Sequence, residues 1–449
     1  MRATWVVGLA ALAACTADPA ALPDGATQPP DAAAPDAPRP DGYDEWAAVC
    51  AHGYRDELSP QFCSGSGPPH LDSLHDLEQL VRLDNVSETY TFMLGESSAL
   101  GLRSVTPMNP RAFFVSDSVF QNDPQYRVMT FARGEPFVEL VANDLATRTL
   151  HFFLIRFHLP CEANPGGCTY ADLMLPSVES GWTGYELYDD SALVNTPLDC
   201  NTCHQPNGPG TPKILRMQER LGEWDHWIGG DGGWGLFESI LDDSGYAGQP
   251  MDIWSWPNSP SALQQLVEQE GFAPQPNEFV SETVESELEA SGGTSATWDG
   301  LYANAVAGLD IPPPYYGQVQ VDYDQAFALI DTYKQVVAGT LPPSALPDFQ
   351  STLRPDAPAA MSIRPAPGLD GRGILVHMCS QCHNARLDQT LTRALFNPSM
   401  LDTMSTAERH LATVRLMLPD TDPKKMPPPR FRELSDDERA LALGALSDP

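Results

Sequence analysis

Residues Thr149 to Leu159 read TLHFFLIRFHL. Aromatic and β-branched side chains fill this run, as they do in a strand buried inside a sheet. Upstream, Arg127–Thr130 with Phe131 and Pro136–Val141 flank the turn ARGE and read as a hairpin. Downstream, YADLMLPSV (170–178) and WTGYELYDD (182–190) continue the strand pattern. Together they predict an antiparallel β region over residues 100–195. His151 and His158 lie seven apart on one strand and point to opposite faces, which argues against a shared metal. No catalytic constellation falls within the region. Before it, LDSLHDLEQLVRL places Leu71, Leu74, Leu77, Leu80 and Val81 at helical spacing. His70 and His75 read there as ordinary helix or surface residues.

A chain of 449 residues exceeds one ordinary core and implies two or three domains. Hydrophobic content of 42% with 9% aromatics is globular. The net charge is −34, from 60 acids against 26 bases, which argues against nucleic acid or an anionic lipid surface as partner. Such a surface serves solubility and permits steering of a basic soluble protein.

The N-terminus reads MRATWVVGLAALAAC: one Arg, a short apolar run, then small residues before Cys15. The run is too short to anchor across a bilayer and has the size of a signal-peptide core. Leu12-Ala13-Ala14-Cys15 resembles the bacterial lipobox. That resemblance implies cleavage before Cys15, lipidation of its new N-terminus and, with Thr16 next, an outer-membrane destination. Residues 16–41 alternate Pro, Ala and Asp and read as an extended, solvated linker. At ~3.1 Å per residue it would reach on the order of 75 Å.

An exported chain lives where disulfides persist. Of nine cysteines, Cys15 is the anchor, and Cys200, Cys203, Cys379 and Cys382 form two repeated motifs. Cys50, Cys63, Cys161 and Cys168 remain, and four cysteines allow three pairings. Short loops favour Cys50–Cys63 and Cys161–Cys168, the latter bracketing the turn-rich EANPGG.

The repeated motifs are CNTCH (200–204) and CSQCH (379–383), about 175 residues apart. KILRMQERLGEWDHW (213–227), SALQQLVEQEGF, VSETVESELEA and YDQAFALIDTYKQVVAG are helix candidates between them. GDGGWG (230–235) fits GxGxxG but follows a helix, with no βαβ pattern around it, and reads as a loop. Residues 341–368 are proline-rich and read as a connection. After them, GRGILVHMCSQCHN, STAERHLATVRLML and LSDDERALALGAL suit three helices.

Cysteines at i and i+3 of a helix share one face and can bond the two vinyl groups along one haem edge. The adjacent histidine then projects to ligate the iron. Zinc would need four ligands from nearby knuckles. A thioredoxin-like CxxC would sit at a strand-to-helix junction of a βαβ unit, which the pattern lacks. Chance would supply a CxxCH about 0.004 times in a chain of this composition.

On these motifs the sequence resembles the c-type cytochromes, specifically bacterial dihaem cytochrome c lipoproteins. The last 80 or so residues, through CSQCH and KKMPPPRFRELSDDERALALGAL, look like a monohaem cytochrome c domain. The resemblance implies thioether bonds at Cys379 and Cys382, His383 as proximal ligand and Met426, followed by Pro-Pro, as distal ligand. A thioether sulfur favours ferrous iron and raises the potential. Met400, Met404 and Met417 lack the Pro-Pro bracket and suit packing roles. At the first site Cys200, Cys203 and His204 match. NGPGTPKIL (207–215) is similar to the stretch that braces the proximal His through a backbone carbonyl, fixing its tautomer. No Met-Pro-Pro follows it. Met217, His226 and Met251 are the distal candidates, in that order, with an open site as a fourth possibility.

The expected architecture is α+β and multidomain: a β-rich N-terminal domain followed by two mainly α-helical, cytochrome c-like haem domains. The divisions are 1–15 signal and anchor, 16–41 linker, 42–195 β-rich domain, 196–340 first haem c domain, 341–368 linker and 369–449 second haem domain. The expected function is electron transfer by two covalently attached haem c groups per chain. The chain would be lipid-anchored on the periplasmic side of the envelope, at the outer membrane, with other redox proteins as partners. No small-molecule substrate is identified. A dihaem peroxidase-like enzyme, with Glu219 or Glu223 as acid–base group, and a haem-bearing subunit or sensor of a larger redox assembly are the alternatives.

Overall fold

The computed structural model describes residues 42–85, 87–94, 104–106, 108–118, 125–205, 209–215, 227–228, 287, 296–297, 299–300, 322–355, 357–360, 363–380, 382–383, 390–420, 422 and 424–447. All fall within one unit, Pro40–Pro449. Cys15, the linker 16–41, Met217, Glu219, Glu223, His226, Met251 and the GDGGWG segment lie outside the described residues.

Six strands form an antiparallel meander: β1 (Thr89–Leu94), β2 (Arg111–Ser116), β3 (Arg127–Phe131), β4 (Phe137–Asp144), β5 (Thr149–His158) and β6 (Gly184–Asp189). A two-residue strand, β7 (Trp227–Ile228), pairs with the outer edge of β1. The helix expected over 213–227 therefore does not reach its predicted end: Trp227 and Ile228 are extended against Leu94 and Met93, and Lys213–Leu215 are not helical. The aromatic run 149–158 is the longest strand among the described residues and lies between β4 and β6. Its register with β4, Val141 opposite Phe152 and Leu140 opposite Phe153, sorts alternate residues onto two faces.

On one face Ala112, Phe114, Met129, Phe131, Leu140, Phe153, Ile155 and Phe157 form the principal core. Three N-terminal helices contribute to it: α1 (Tyr43–Ala51), α2 (Ser59–Cys63) and α3 (Leu74–Val81). Leu74, Leu77 and Val81 of α3 are buried and Leu80 is half-buried, and Ser73 caps its first turn by accepting from the Asp76 amide. Gly42, at φ +74°, lets α1 start against β6; a Cβ there would lie 2.2 Å from the Tyr185 carbonyl oxygen. Disulfides join Cys50 to Cys63 and Cys161 to Cys168.

The YADLMLPSV segment is not a strand. Tyr170–Met174 forms a short helix, α4, because Thr169 and Asp172 make a reciprocal capping box and Ala171 and Met174 bury one helical face. A 3-10 turn, Pro176–Glu179, follows. After the first motif helix, α5 (Cys200–His204), the next long helix among the described residues is α6 (Tyr323–Val337), capped by Asp322. It falls within residues 196–340, the expected first haem domain. Its Ala326, Leu329, Ile330 and Tyr333 instead join the core on the sheet. The proline-rich stretch after it is also built in. Pro343–Ala345 and Phe349–Thr352 are 3-10 turns, and Leu346 and Phe349 are buried in the same core, so the prolines set turns on a packed surface.

The C-terminal part has a short helix α7 (Ala357–Ala360) and the three expected helices, α8 (Gly371–Cys379), α9 (Thr406–Met417) and α10 (Asp436–Ser447). Ile374, Leu375, Met378, Leu401, Met404, Leu416, Leu434, Ala442 and Leu446 form its core. Helices α8 and α10 approach so closely that a Cβ on Gly371 would lie 2.1 Å from the Leu441 carbonyl oxygen. Met404 packs inside, whereas Met400 and Met417 are exposed.

One polar knot fastens the N-terminal helices to the sheet and makes acid stability predictable. Buried Asp56 accepts from the Leu58 and Ser59 amides at 2.8 and 2.6 Å and meets His151 Nδ1 at 3.0 Å. Burial pushes the Asp56 carboxyl up, but the hydrogen bonds from His151, Ser59 and Leu58 outweigh it and hold the group below its ordinary value. A carboxyl depressed on folding stabilises the protein above its unfolded pKa of about 4 and loses that contribution as pH falls through its folded value. Asp56→Asn is expected to cost about 1.5–3 kcal/mol at neutral pH, the range for hydrogen bonds to a charged group. The gap from wild type should close in acid. Urea titrations from pH 7 to pH 2 check this; a gap of constant size across the range contradicts it.

Candidate functional site

The second face of the sheet carries Phe137, Glu139, Val141, Phe152 and Leu154, and both cysteine motifs lie on its side of the fold. Asp199 starts α5: its carboxylate accepts from the Asn201 amide at 3.0 Å and from the Asn195 amide at 2.7 Å. The five-residue helix places Cys200, Cys203 and His204 together. The His204 ring stacks on Phe152, centroids 4.2 Å apart and planes inclined by 21°. Lys213 lies over the same Phe152 ring and pairs with Asp190 at 2.5 Å.

The loop after His204 is clamped back onto it twice. The Ile214 amide donates to the His204 carbonyl at 2.9 Å, and His204 Nδ1 meets the Ile214 carbonyl at 2.9 Å. A carbonyl only accepts, so Nδ1 carries the proton and Nε2 keeps its lone pair. Gln205 Nε2 secures the loop further by donating to the Thr211 carbonyl at 2.8 Å. Ile214 belongs to the NGPGTPKIL stretch in which such a brace was expected.

The second motif repeats the device with different local sequence. Asp370 caps α8, which ends at Cys379, and the Cys382 and His383 amides both donate to the Cys379 carbonyl. His383 Nδ1 meets the Arg393 carbonyl at 2.8 Å, ten residues on, the same interval as from His204 to Ile214. Its ring is edge-on to Phe396 at 5.3 Å. Burial holds His383 below the ordinary imidazole value, although the Arg393 carbonyl opposes the shift. Both histidines are thus fixed in one tautomer with Nε2 as the only ring atom able to bind a metal.

None of the four motif cysteines is in a disulfide. Burial pushes the Cys200 thiol well up, with Glu139, Asp190 and Asp199 adding to the shift. Burial likewise pushes Cys379 up to about 12, with Cys382 contributing. Reactive CxxC pairs need the opposite, a depressed thiolate pKa. The surroundings of Cys200 and Cys379 thus disfavour a reactive thiolate. Among the described residues no group of three or more His, Cys, Asp and Glu is placed to hold a metal ion.

Met426 stands on a loop fastened at several points. Its amide donates to the Arg415 carbonyl at 3.1 Å, and Lys425 Nζ donates to the Leu416 carbonyl at 2.8 Å, which ties the loop to the end of α9. Beyond the prolines, Arg430 pairs with Glu135 at 2.7 Å and lies over the Phe137 ring at 4.8 Å. Phe431 packs on Val105 and Ala132. Arg432 is 7% exposed; burial pulls its guanidinium down, opposed by its nearness to Cys382, Cys203 and Cys379, sulfurs of both motifs. The segment carrying Met426 therefore leads onto the sheet face that also receives His204.

Phe152, Asp199, Arg393, Arg430 and Arg432 went unnoticed in the sequence. Asp199 alone carried a local signal, an N-cap residue immediately before Cys200. No protein-family model matches the chain, and neither the curated proteins nor the solved structures contain a significant match.

Proposed function

We propose that this chain is an exported c-type cytochrome that carries two covalently attached haem c groups and transfers electrons between other redox proteins. The observation that carries the reading is the repeated brace: His204 to the Ile214 carbonyl and His383 to the Arg393 carbonyl. Each puts the ring proton on Nδ1, so that Nε2 is the nitrogen able to ligate a metal, beside two thiols that can form thioethers. Cys200 and Cys203 would attach one haem and Cys379 and Cys382 the other, with His204 and His383 as proximal ligands. Bound haem supplies one-electron chemistry through a change of iron valence.

The chain's own contribution is to hold each imidazole in one tautomer and orientation. It also keeps Cys200, Cys203 and Cys379 partly buried, with Cys382 exposed, and Met426 on its braced loop would serve as sixth ligand of the second site. The first site would take its sixth ligand from Met217, His226 or Met251, unless that position is open. Lipidation at Cys15 would place the protein on the periplasmic side of the outer membrane, and the net charge of −34 suits encounter with a basic redox partner.

Carbon monoxide tests the ligation. With the protein reduced after expression alongside a cytochrome c maturation system, neither site of the parent should take up carbon monoxide, and Met426→Ala should open one. Ready binding by the parent moves the peroxidase-like reading to the front. A variant that still excludes carbon monoxide removes Met426 as ligand.

A further inference from the structure

We infer that Arg393 couples the two cysteine–histidine sites, so that the state of the first motif alters the ligand environment of the second. This rests on the haem reading above and goes beyond it. Arg393 sits in the 3-10 turn Thr392–Leu395, and its carbonyl is the acceptor that orients His383. That carbonyl also accepts from the Phe396 amide at 3.4 Å, while the Arg393 amide and guanidinium run to the first motif and the turn before it. The Arg393 amide donates to Asn195 Oδ1 at 3.2 Å. Its guanidinium pairs with Asp199 Oδ2 at 2.7 Å and donates to Thr202 Oγ1.

Those partners are structural parts of the first site. Thr202 is the residue before Cys203 inside CNTCH, and Asp199 caps the helix that carries the motif. The Asp199 side chain is 1% exposed and that of Arg393 13%, so the pair is largely withdrawn from solvent screening. Any displacement of α5, or any change of charge on it, acts on a residue held at both ends. At one end stands the capping carboxylate of the first site; at the other stands the carbonyl that sets the imidazole basicity and angle of the second. A carbonyl pulled closer strengthens the brace and makes the imidazole a better donor to a metal at Nε2; one released weakens it. Arg393 is thus a positioning residue with two clients. Direct charge–charge interaction between two nearby haems would also couple the sites, and the test must separate the two routes.

The separation comes from a double-mutant cycle read as potentials. Four full-length chains are expressed with cytochrome c maturation: the parent, Arg393→Ala, the first-motif knockout Cys200→Ser/Cys203→Ser, and their combination. The midpoint potential of the His383 site is measured in each by spectroelectrochemical titration. Arg393→Ala keeps the bracing carbonyl and the amide bond to Asn195 and removes the guanidinium link to Asp199 and Thr202. In the Arg393 background, loss of the first haem should shift the second site by about 59 mV, tenfold in its reduction equilibrium. In the Arg393→Ala background the shift should shrink severalfold. Asp199→Asn, which removes the charge from the other end, should shrink it in the same way and serves if Arg393→Ala fails to fold. An equal shift in all backgrounds overturns the inference, because the coupling then passes through space. Chains without covalent haem overturn the reading beneath it instead.

Discussion

Replacing Cys379 and Cys382 together by serine is expected to leave a chain with one covalent haem, halving the haem content per chain. The two sites are built separately at the covalent level. His204 is clamped by its own following loop through the paired bonds to Ile214, and its ring rests on Phe152 of β5. Nothing in that clamp depends on the second motif's thiols. The corresponding change at Cys200 and Cys203 should also leave one haem, and all four serines none. His383→Ala should behave differently: it keeps both thioether positions and removes the proximal nitrogen. That variant should retain attached haem while the second site's spectrum changes from low-spin, six-coordinate to a weakly ligated form. Haem content after acid denaturation, set against the visible spectrum, separates attachment from ligation. Full haem content in the Cys379/Cys382 variant would contradict the assignment.

The largest loss of stability is expected far from either motif. Arg133 pairs with Glu179 at 2.5 Å, their side chains 2% and 0% exposed, and its guanidinium also donates to the Tyr333 hydroxyl at 2.7 Å. Three parts of the chain meet there: the turn after β3, the 3-10 turn after α4, and α6, about 150 residues further on. Glu179→Ala deprives a buried guanidinium of its countercharge, which costs about 3–5 kcal/mol. Exchanging both partners for apolar residues of similar volume should cost much less, because no charge is then left in the interior. Urea unfolding of the Glu179→Ala chain and of the doubly substituted chain checks both statements. A loss under 1 kcal/mol for Glu179→Ala would mean that water reaches Arg133.

The strands were legible because their period is local. TLHFFLIRFHL and the hairpin around ARGE state their own geometry, and β3, β4 and β5 follow them. YADLMLPSV misled because an apolar run of that length suits either state; the decision lay in the Thr169–Asp172 box at its start. Helix α6 was visible, but its destination was not. An amphipathic stripe says that a face will be buried without saying against which core, and Tyr333 found its partner 200 residues away in Arg133. The two motifs announced themselves through residue type at fixed spacing. The brace on His204 had a signal in the Gly-Pro stretch. The brace on His383 had none, since no comparable stretch follows it and the carbonyl arrives through the turn at Thr392–Leu395. Arg393 was illegible for the same reason as α6: its meaning lies in contacts to Asp199 and Thr202, which no local pattern encodes.

The central claim is that both motifs hold covalent haem, and the most direct measurement is the intact mass of the denatured chain after expression with cytochrome c maturation. It should be paired with mapping of the modified peptides. The account predicts a chain heavier by two haems, one on the peptide containing Cys200 and Cys203 and one on that containing Cys379 and Cys382. A chain at its apoprotein mass, with all four thiols open to alkylation, would contradict it.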